Sequence, residues 1–425
     1  MQSLRKSRIV LINPPAPYLD EPAMNPPLGL LYISSFLKSK GFKHIVLIDY
    51  QLFSYSLNMI PEADIYGITC ITPQYRWFKE IARYIKKHYK KARVIGGGHH
   101  VTYCFDEVKE EVDEVIKGDG EHALYSYMNG YTSPDRWMIH DIDFLPMPDR
   151  DLLNPHLYKR TINGEKAVHI ITARGCPYKC HYCANENYTY RIHSVEYVMA
   201  EIDSIMNKYG IDSFVIYDDI FTLNKRRVAD FCEQFRKRRI KWRCWSRTNS
   251  ITLEMLTLMK NSGLQSITYG VESGDETILS NINKKATVDD NYNAIIWAKC
   301  AGVPVRCSLM YGNPGENIKT IKNTVKFVED TQPDEWHLAV LMPIPGSHYW
   351  DSGDVRFDKE ALKKDDYLSC NRYHDSGVGQ PIIEIDSMDK KQFRSNLKYF
   401  ISELERVCSR SKIQDTSQKI KVGNL

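Results

Sequence analysis

Three cysteines within eight residues carry the sharpest chemistry in this sequence: Cys176, Cys180 and Cys183, in the run ARGCPYKCHYCAN over 173–185. Thiolates spaced C-x3-C-x2-C on one loop can converge on a single inorganic cluster. A 4Fe–4S cluster is normally held by four cysteines. With three, one iron keeps an open coordination position that a substrate or cofactor can occupy. Zinc wants four ligands and usually a second Cys/His pair, and His181, lying between two of the cysteines, is poorly placed as the fourth. The Cys180-x-x-Cys183 pair alone would suit a redox dithiol, but Cys176 and the loop position weigh against that. The other eight cysteines (Cys70, Cys104, Cys232, Cys244, Cys300, Cys307, Cys370 and Cys408) are scattered and read as buried thiols.

The elements around the cysteine loop alternate in type. Residues 168–173 form a β-rich run just before it, and further runs follow at 213–219, 241–247, 266–272, 303–310 and 336–342. Helical spacing occupies the gaps at 195–208, 225–239, 252–262, 288–301 and 317–330. This predicts a partial (β/α)6 barrel, with active-site groups just after the strands. Arg247, Glu272, Ser273 and Gly312 fall there, as do Asp218 and Asp219. Ahead of the barrel, apolar runs at 8–13, 44–49, 63–71, 92–98 and 111–118 alternate with helices near 28–38, 77–89 and 121–128. That pattern predicts a doubly wound parallel sheet, whose ligands sit at the carboxyl ends of the strands. The expected fold is α/β: a Rossmann-like domain (1–130), a proline-rich linker (131–167), a TIM-type barrel (168–345), a short C-terminal extension (346–408) and a disordered tail (409–425).

The cysteine motif, with aromatic Tyr182 just before the last cysteine, resembles the signature of the radical S-adenosylmethionine (SAM) superfamily. Tyr217–Thr222, Ser246–Asn249, Gly270–Gly274, Gly312–Glu316 and Pro343–Ser347 resemble that family's strand-end segments. Asn13-Pro14-Pro15, Pro26–Leu30, Gly97–His100 and Gly118–Glu121 resemble the cobalamin-binding domain fused ahead of such barrels. The resemblance covers about residues 8–347. It implies an open iron that binds SAM, reductive cleavage to a 5′-deoxyadenosyl radical, and hydrogen abstraction from an unactivated position of a small molecule.

Cys176, Cys180 and Cys183 would hold the cluster, and Tyr182 would sit at the cofactor. Arg247 would reach the methionine carboxylate, or else form a barrel-mouth salt bridge with Glu272. Glu272 and Ser273 would meet the ribose or methionine moiety, and Gly312 would let backbone approach adenine. For cobalamin, the implied contacts are Asn13, Thr69, Thr72, Gly97, Gly98, His100, Gly118 and Glu121. The Thr69–Gln74 loop would lie against the lower face. No D-x-H-x-x-G sequence supplies a histidine to cobalt, so cobalamin bound without a protein imidazole is expected; some relatives keep the domain as a scaffold without the cofactor. Methyl transfer is the commonest reaction implied. Cyclisation, ring contraction and dehydration are the alternatives, and ferredoxin or flavodoxin is the implied electron donor.

Composition sets the frame for this reading. The chain has 425 residues, 43% hydrophobic and 26% charged, with a net charge of +4 from 57 basic and 53 acidic residues. That excludes low-complexity and collagen-like classes. The balance is too small to argue for nucleic acid. The basic run at 236–243 reads as a solvated helix end. A tRNA methylthiotransferase would need three further N-terminal cysteines, whereas only Cys70 and Cys104 precede the motif. Eleven cysteines, an odd number, suit a reducing cytoplasm. No run approaches the length of a membrane span.

Overall fold

The structure is a computed structural model that describes residues 4–19, 21–131, 137–184, 188–367 and 383–408. It divides into two compact units: residues 4–159 with 360–367, and residues 160–359 with 383–408. The tail expected over 409–425 and part of the expected extension (368–382, with Cys370) lie outside the described residues.

The first unit contains β1 (Ile9–Asn13), α1 (Leu28–Ser39), β2 (Ile45–Asp49), β3 (Ile65–Thr69), α2 (Tyr75–His88), β4 (Arg93–Gly97), α3 (His99–Tyr103), α4 (Phe105–Val108), β5 (Glu114–Val115) and α5 (Gly120–Met128). Its strands are parallel in the order β2-β1-β3-β4-β5. Every residue of β1 is buried, as a central strand covered on both faces requires. Helix α2 buries Tyr75, Phe78, Ile81, Ala82 and Ile85, a single stripe at helical spacing, and places Lys86, Lys87 and His88 in its last turn. In this order the chain reverses between β1 and β3, so a crevice opens at their carboxyl ends. Residues 137–159, part of the expected linker, pack within this unit. Asp149 accepts from Ser34 Oγ at 2.7 Å, and Tyr158 donates to Asp49 at 2.6 Å.

The second unit contains β6 (Thr161–Ile162), β7 (Glu165–Ile170), β8 (Ala173–Arg174), β9 (Arg191–Ile192), α6 (Val195–Tyr209), β10 (Ser213–Ile216), α7 (Lys225–Arg238), β11 (Lys241–Ser246), α8 (Leu253–Asn261), β12 (Leu264–Glu272), α9 (Glu276–Asn281), α10 (Val288–Cys300), β13 (Val305–Tyr311), α11 (Ile318–Thr331) and β14 (Glu335–Val340). The chain then runs through α12 (His348–Asp351) and β15 (Arg356–Phe357), contributes α13 (Lys359–Lys364) to the first unit, and returns with β16 (Ile383–Glu384) and α14 (Lys390–Val407). One curled sheet has the order β14-β13-β12-β11-β10-β7-β6. All its pairings are parallel except that of the edge strand β6 with β7.

Alternation fixes its faces. Phe214, Trp242, Cys244, Ile267, Tyr269, Cys307 and Leu309 turn outward into one core with the helices. Arg243, Trp245, Thr268, Arg306 and Ser308, their neighbours in sequence, turn to the concave face. The helices start on side-chain caps, including Ser194, Asn224, Thr252, Asp275 and Asn317, each stabilising by about 1 kcal/mol. Helix α14 packs back on α11 and delivers Phe393, Leu397, Phe400 and Leu404 to the same core.

Candidate functional site

The cysteine loop leaves the sheet through a turn that demands glycine. Gly175 has φ +80°, and a Cβ there would stand 2.6 Å from the Thr189 carbonyl oxygen. Asp218, just past β10, braces the same turn. Its carboxylate accepts from Thr172 N at 2.6 Å, from Ala173 N at 3.0 Å and from the Thr172 hydroxyl. Burial pushes Asp218 up to about 6 despite these donors. Further along the loop, Cys183 N donates to Cys180 O at 2.9 Å, which closes a tight turn between the second and third cysteines. His181 is carried outward instead: its ring stacks on His348 at 4.1 Å.

Arg247, at the end of β11, donates Nη1 to Cys180 Sγ at 3.3 Å, and its guanidinium lies 3.7 Å over the Tyr178 ring. A donor on a cluster sulfur stabilises the electron-rich state. Burial pushes the Cys176 thiol up, while a Tyr178 backbone bond and the Arg247 charge pull it down. Arg247 also donates to the Lys284 carbonyl. The alternative expectation of an Arg247–Glu272 salt bridge is therefore corrected. Glu272 takes the Lys284 ammonium at 2.7 Å, and both side chains are largely buried. It also accepts from the Tyr182 hydroxyl at 2.9 Å, and Lys284 Nζ lies 3.1 Å from that hydroxyl. Burial and the Glu272 charge push Tyr182 well above its ordinary value, so it stays a neutral donor. Glu272 sits at φ +63°, where the β12–β13 register slips between Gly270 and Glu272. Such a conformation in a non-glycine residue is held only by its surroundings.

Two expected site residues make other contacts. Ser273 Oγ lies 3.1 Å from Thr324 Oγ1 on α11 and accepts from Asp275 N. Gly312 has φ +91°, and the Phe393 ring fills the space at 3.0 Å from where its Cβ would be. Lys284, Tyr178 and Asn283, whose Nδ2 donates to Lys179 O at 2.6 Å, are additions that the sequence did not single out. Cys300 is exposed on α10, contrary to the expectation of a buried thiol.

In the first unit, Asn13 donates to Asp49 at 2.8 Å and Gln74 Nε2 donates to Pro14 O at 2.8 Å, which ties the loops after β1 and β3 together. Thr72 Oγ1 meets His100 Nδ1 at 3.2 Å. His100 is fully buried between Tyr75 and Tyr367, and burial lowers it to about 3. Gly98, at φ +102°, packs so closely that a Cβ would be 2.8 Å from Cys70 O and 2.9 Å from Thr69 Oγ1. Gly97 beside it has nothing within 4 Å of the equivalent position. Gly118 N donates to Thr102 Oγ1 at 3.2 Å, and Glu121 is buried in the first turn of α5.

A chain with this three-thiol loop at the mouth of a partial barrel, behind a doubly wound sheet, has the architecture of a SAM-cleaving iron–sulfur protein with a corrin-binding domain. Residues 170–328 match the Radical SAM superfamily and residues 23–127 match the B12 binding domain. The chain thus carries a Radical SAM domain in its second half and a B12-binding domain in its first.

It is 28% identical over 384 residues to an uncharacterised methyltransferase of Pyrococcus horikoshii, covering 82% of this chain and 83% of that one. It is 24% identical to an anaerobic magnesium-protoporphyrin IX monomethyl ester cyclase of Rubrivivax gelatinosus, over 86% of this chain and 71% of the cyclase. Among solved structures, it superposes with a TM-score of 0.66 and 17% identity on TsrM, a radical SAM methyltransferase of Kitasatospora setae solved with cobalamin and a 4Fe–4S cluster; 83% of this chain and 81% of that one are covered.

The residues present fit these groups. Cys180 already has a cationic donor on its sulfur, and the strand-end glutamate, tyrosine and lysine make a polar rim beside the loop. At the β4 end, the space over Gly97 is open, and three residues on, the buried His100 has an Nε2 with no hydrogen-bond partner among the described residues. No described helix is long and apolar enough to cross a membrane.

Proposed function

We propose that the protein is a cobalamin-dependent radical SAM methyltransferase acting on a small molecule in the cytoplasm, with a ferredoxin or flavodoxin as electron donor. The observation that carries this reading is the Arg247–Cys180 contact beside the Tyr182–Glu272–Lys284 network, in a chain whose other unit has the doubly wound sheet of a B12-binding domain. The barrel chemistry is assigned to residues 168–345 and corrin binding to residues 1–130.

When bound, the cluster and SAM supply a 5′-deoxyadenosyl radical, and cobalamin supplies a transferable methyl group. Cys176, Cys180 and Cys183 hold the cluster. Arg247 keeps positive charge on its sulfur side and fixes the Tyr178 ring. Tyr182 and Glu272 would offer a hydroxyl and a carboxyl group to the amino and ribose groups of SAM, and Lys284 holds both in place. Ser273 and Gly312 shape the strand ends behind them. In the other unit, Gly97 would leave room for cobalamin while Gly98 holds the turn tight against Cys70, and the loops carrying Asn13, Thr69 and Thr72 would help to hold it. His100, Gly118 and Glu121 support that wall.

The test is anaerobic reconstitution with iron, sulfide and hydroxocobalamin, then reduction in the presence of SAM carrying a trideuterated methyl group. Release of 5′-deoxyadenosine, lost in each of Cys176→Ala, Cys180→Ala and Cys183→Ala, together with a corrin absorption band that survives desalting, is the expected result. Wild-type deoxyadenosine formation in any cysteine variant defeats the cluster assignment. A missing corrin band defeats the cobalamin assignment and favours a cyclase-type reaction.

A further inference from the structure

The cysteine loop carries a further set of ligand-type side chains besides its three thiols. His181 reaches from the loop to His348, the first residue of α12, and Asp354 follows six positions later. One ring nitrogen from each histidine and one carboxylate oxygen lie within 4.8 Å of one another. The chemistry proposed above uses none of the three. Two imidazoles and a carboxylate, converging from separate segments, are the donor set of a divalent transition-metal site.

His181 is fixed from three directions. Its backbone N–H donates to Ile282 O at 3.0 Å, and its carbonyl accepts from Tyr349 N at 3.0 Å. Its ring Nδ1 lies 3.0 Å from Asn281 O, which also accepts from the Tyr349 hydroxyl at 3.2 Å. A carbonyl can only accept, so Nδ1 carries the proton and the lone pair of the neutral ring sits on Nε2. A backbone carbonyl on the other ring nitrogen is how metal-binding histidines are usually oriented.

The His181 and His348 rings face one another at 4.1 Å with a tilt of 27°. His348 Nε2 lies 2.9 Å from Asp354 Oδ2, a spacing that a shared proton or a shared ion can bridge. Ligand atoms around a tetrahedral zinc stand about 3.3 Å apart, given bonds of ~2.0 Å, so an ion would draw the widest pair inward. The side chains of His348 and Asp354 are 39% and 49% exposed, which gives the ion an entry path and a water as its fourth ligand.

We propose that His181, His348 and Asp354 form a mononuclear zinc-class cation site, separate from the cluster, that pins the cysteine loop to the segment after β14. Imidazole nitrogen selects such a cation over magnesium, which wants oxygen ligands in an octahedron.

The experiment is zinc binding to the full chain reconstituted with iron and sulfide, measured anaerobically by competition with a chromophoric chelator. Zinc-edge X-ray absorption on the loaded protein identifies the neighbours. One zinc ion per chain should bind, with nitrogen and oxygen neighbours, the scattering pattern of imidazole, and no sulfur. Asp354→Asn and His348→Ala should each weaken binding by about tenfold or more, and excess magnesium should not displace the ion. Absence of binding, sulfur among the neighbours, displacement by magnesium, or affinity unchanged in either variant overturns the proposal. Asp354 lies at the surface, so Asp354→Asn decides the outcome should His348→Ala fail to fold. Deoxyadenosine formation on the same sample reports on the radical reading alone: its presence without zinc binding sinks only the metal assignment.

Discussion

The Lys284 ammonium lies 2.7 Å from the Glu272 carboxylate, inside the protein, and one loop thereby ties the end of β12 to the cysteine loop through Tyr182. A buried pair of this kind is costly to break on one side only. Lys284→Met should destabilise the second unit by about 3–5 kcal/mol, because Glu272 loses its enclosed partner. The double variant Lys284→Met, Glu272→Gln should recover much of that loss. Anaerobic urea unfolding of the three variants checks it; a single variant as stable as wild type would show that the pair bears no strain.

Arg247 predicts a redox effect. Removing a charge-assisted donor from a cluster thiolate favours the oxidised state. Arg247→Met should shift the cluster midpoint negative by on the order of 50–100 mV, read by a potentiometric titration followed by electron paramagnetic resonance. Arg247→Lys should also shift it, since a lysine cannot stack its plane on Tyr178.

Adjacent glycines at the β4 end should respond oppositely. Gly97→Val adds atoms into open space, so thermal stability should change by less than ~0.5 kcal/mol while cobalamin retention falls. Gly98→Ala meets Cys70 backbone at 2.8 Å and a φ of +102°, and should destabilise by more than ~1 kcal/mol. Unfolding curves and the corrin absorbance after desalting separate the two.

Glu316 predicts a pH dependence. Burial pushes its carboxyl up to about 7 from 4.5, against the Gly312 and Asn313 N–H groups that pull it down. Between these values the unfolded chain releases the proton first, so the contribution of this group to stability falls as pH rises from about 4.5 to about 7 and then levels off. Glu316→Gln should flatten that part of the profile, measured as the difference in unfolding midpoint between pH 5 and pH 8. A slope identical to wild type would rule Glu316 out as its source.

Much of this was legible in sequence because parallel strands buried on both faces announce themselves as apolar runs, and the cysteine spacing is compact. Arg247 and Glu272 stood out by position, at strand ends. Lys284 did not, since a lone lysine in a loop after a short helix carries no periodic signal and its burial depends on tertiary folding. Helix α14 was missed although Phe393, Leu397, Phe400 and Leu404 repeat at helical spacing. Arg243, on the concave face, was visible in the KWRCWSR alternation at 241–247. The Ser273 contact with Thr324 was not legible, because a hydroxyl at a strand end can face a neighbouring helix as readily as a ligand.

The packing of Phe393 over Gly312 has a consequence for synthesis. The turn at 312–316 and the hydroxyl of Tyr311, which donates to Phe393 O at 2.7 Å, are completed by residues more than seventy positions later. During translation the barrel strands must therefore wait, with part of their apolar outer face wet, until α14 has left the ribosome. A ribosome that stalls before Lys390 would leave that core open to chaperones and proteases.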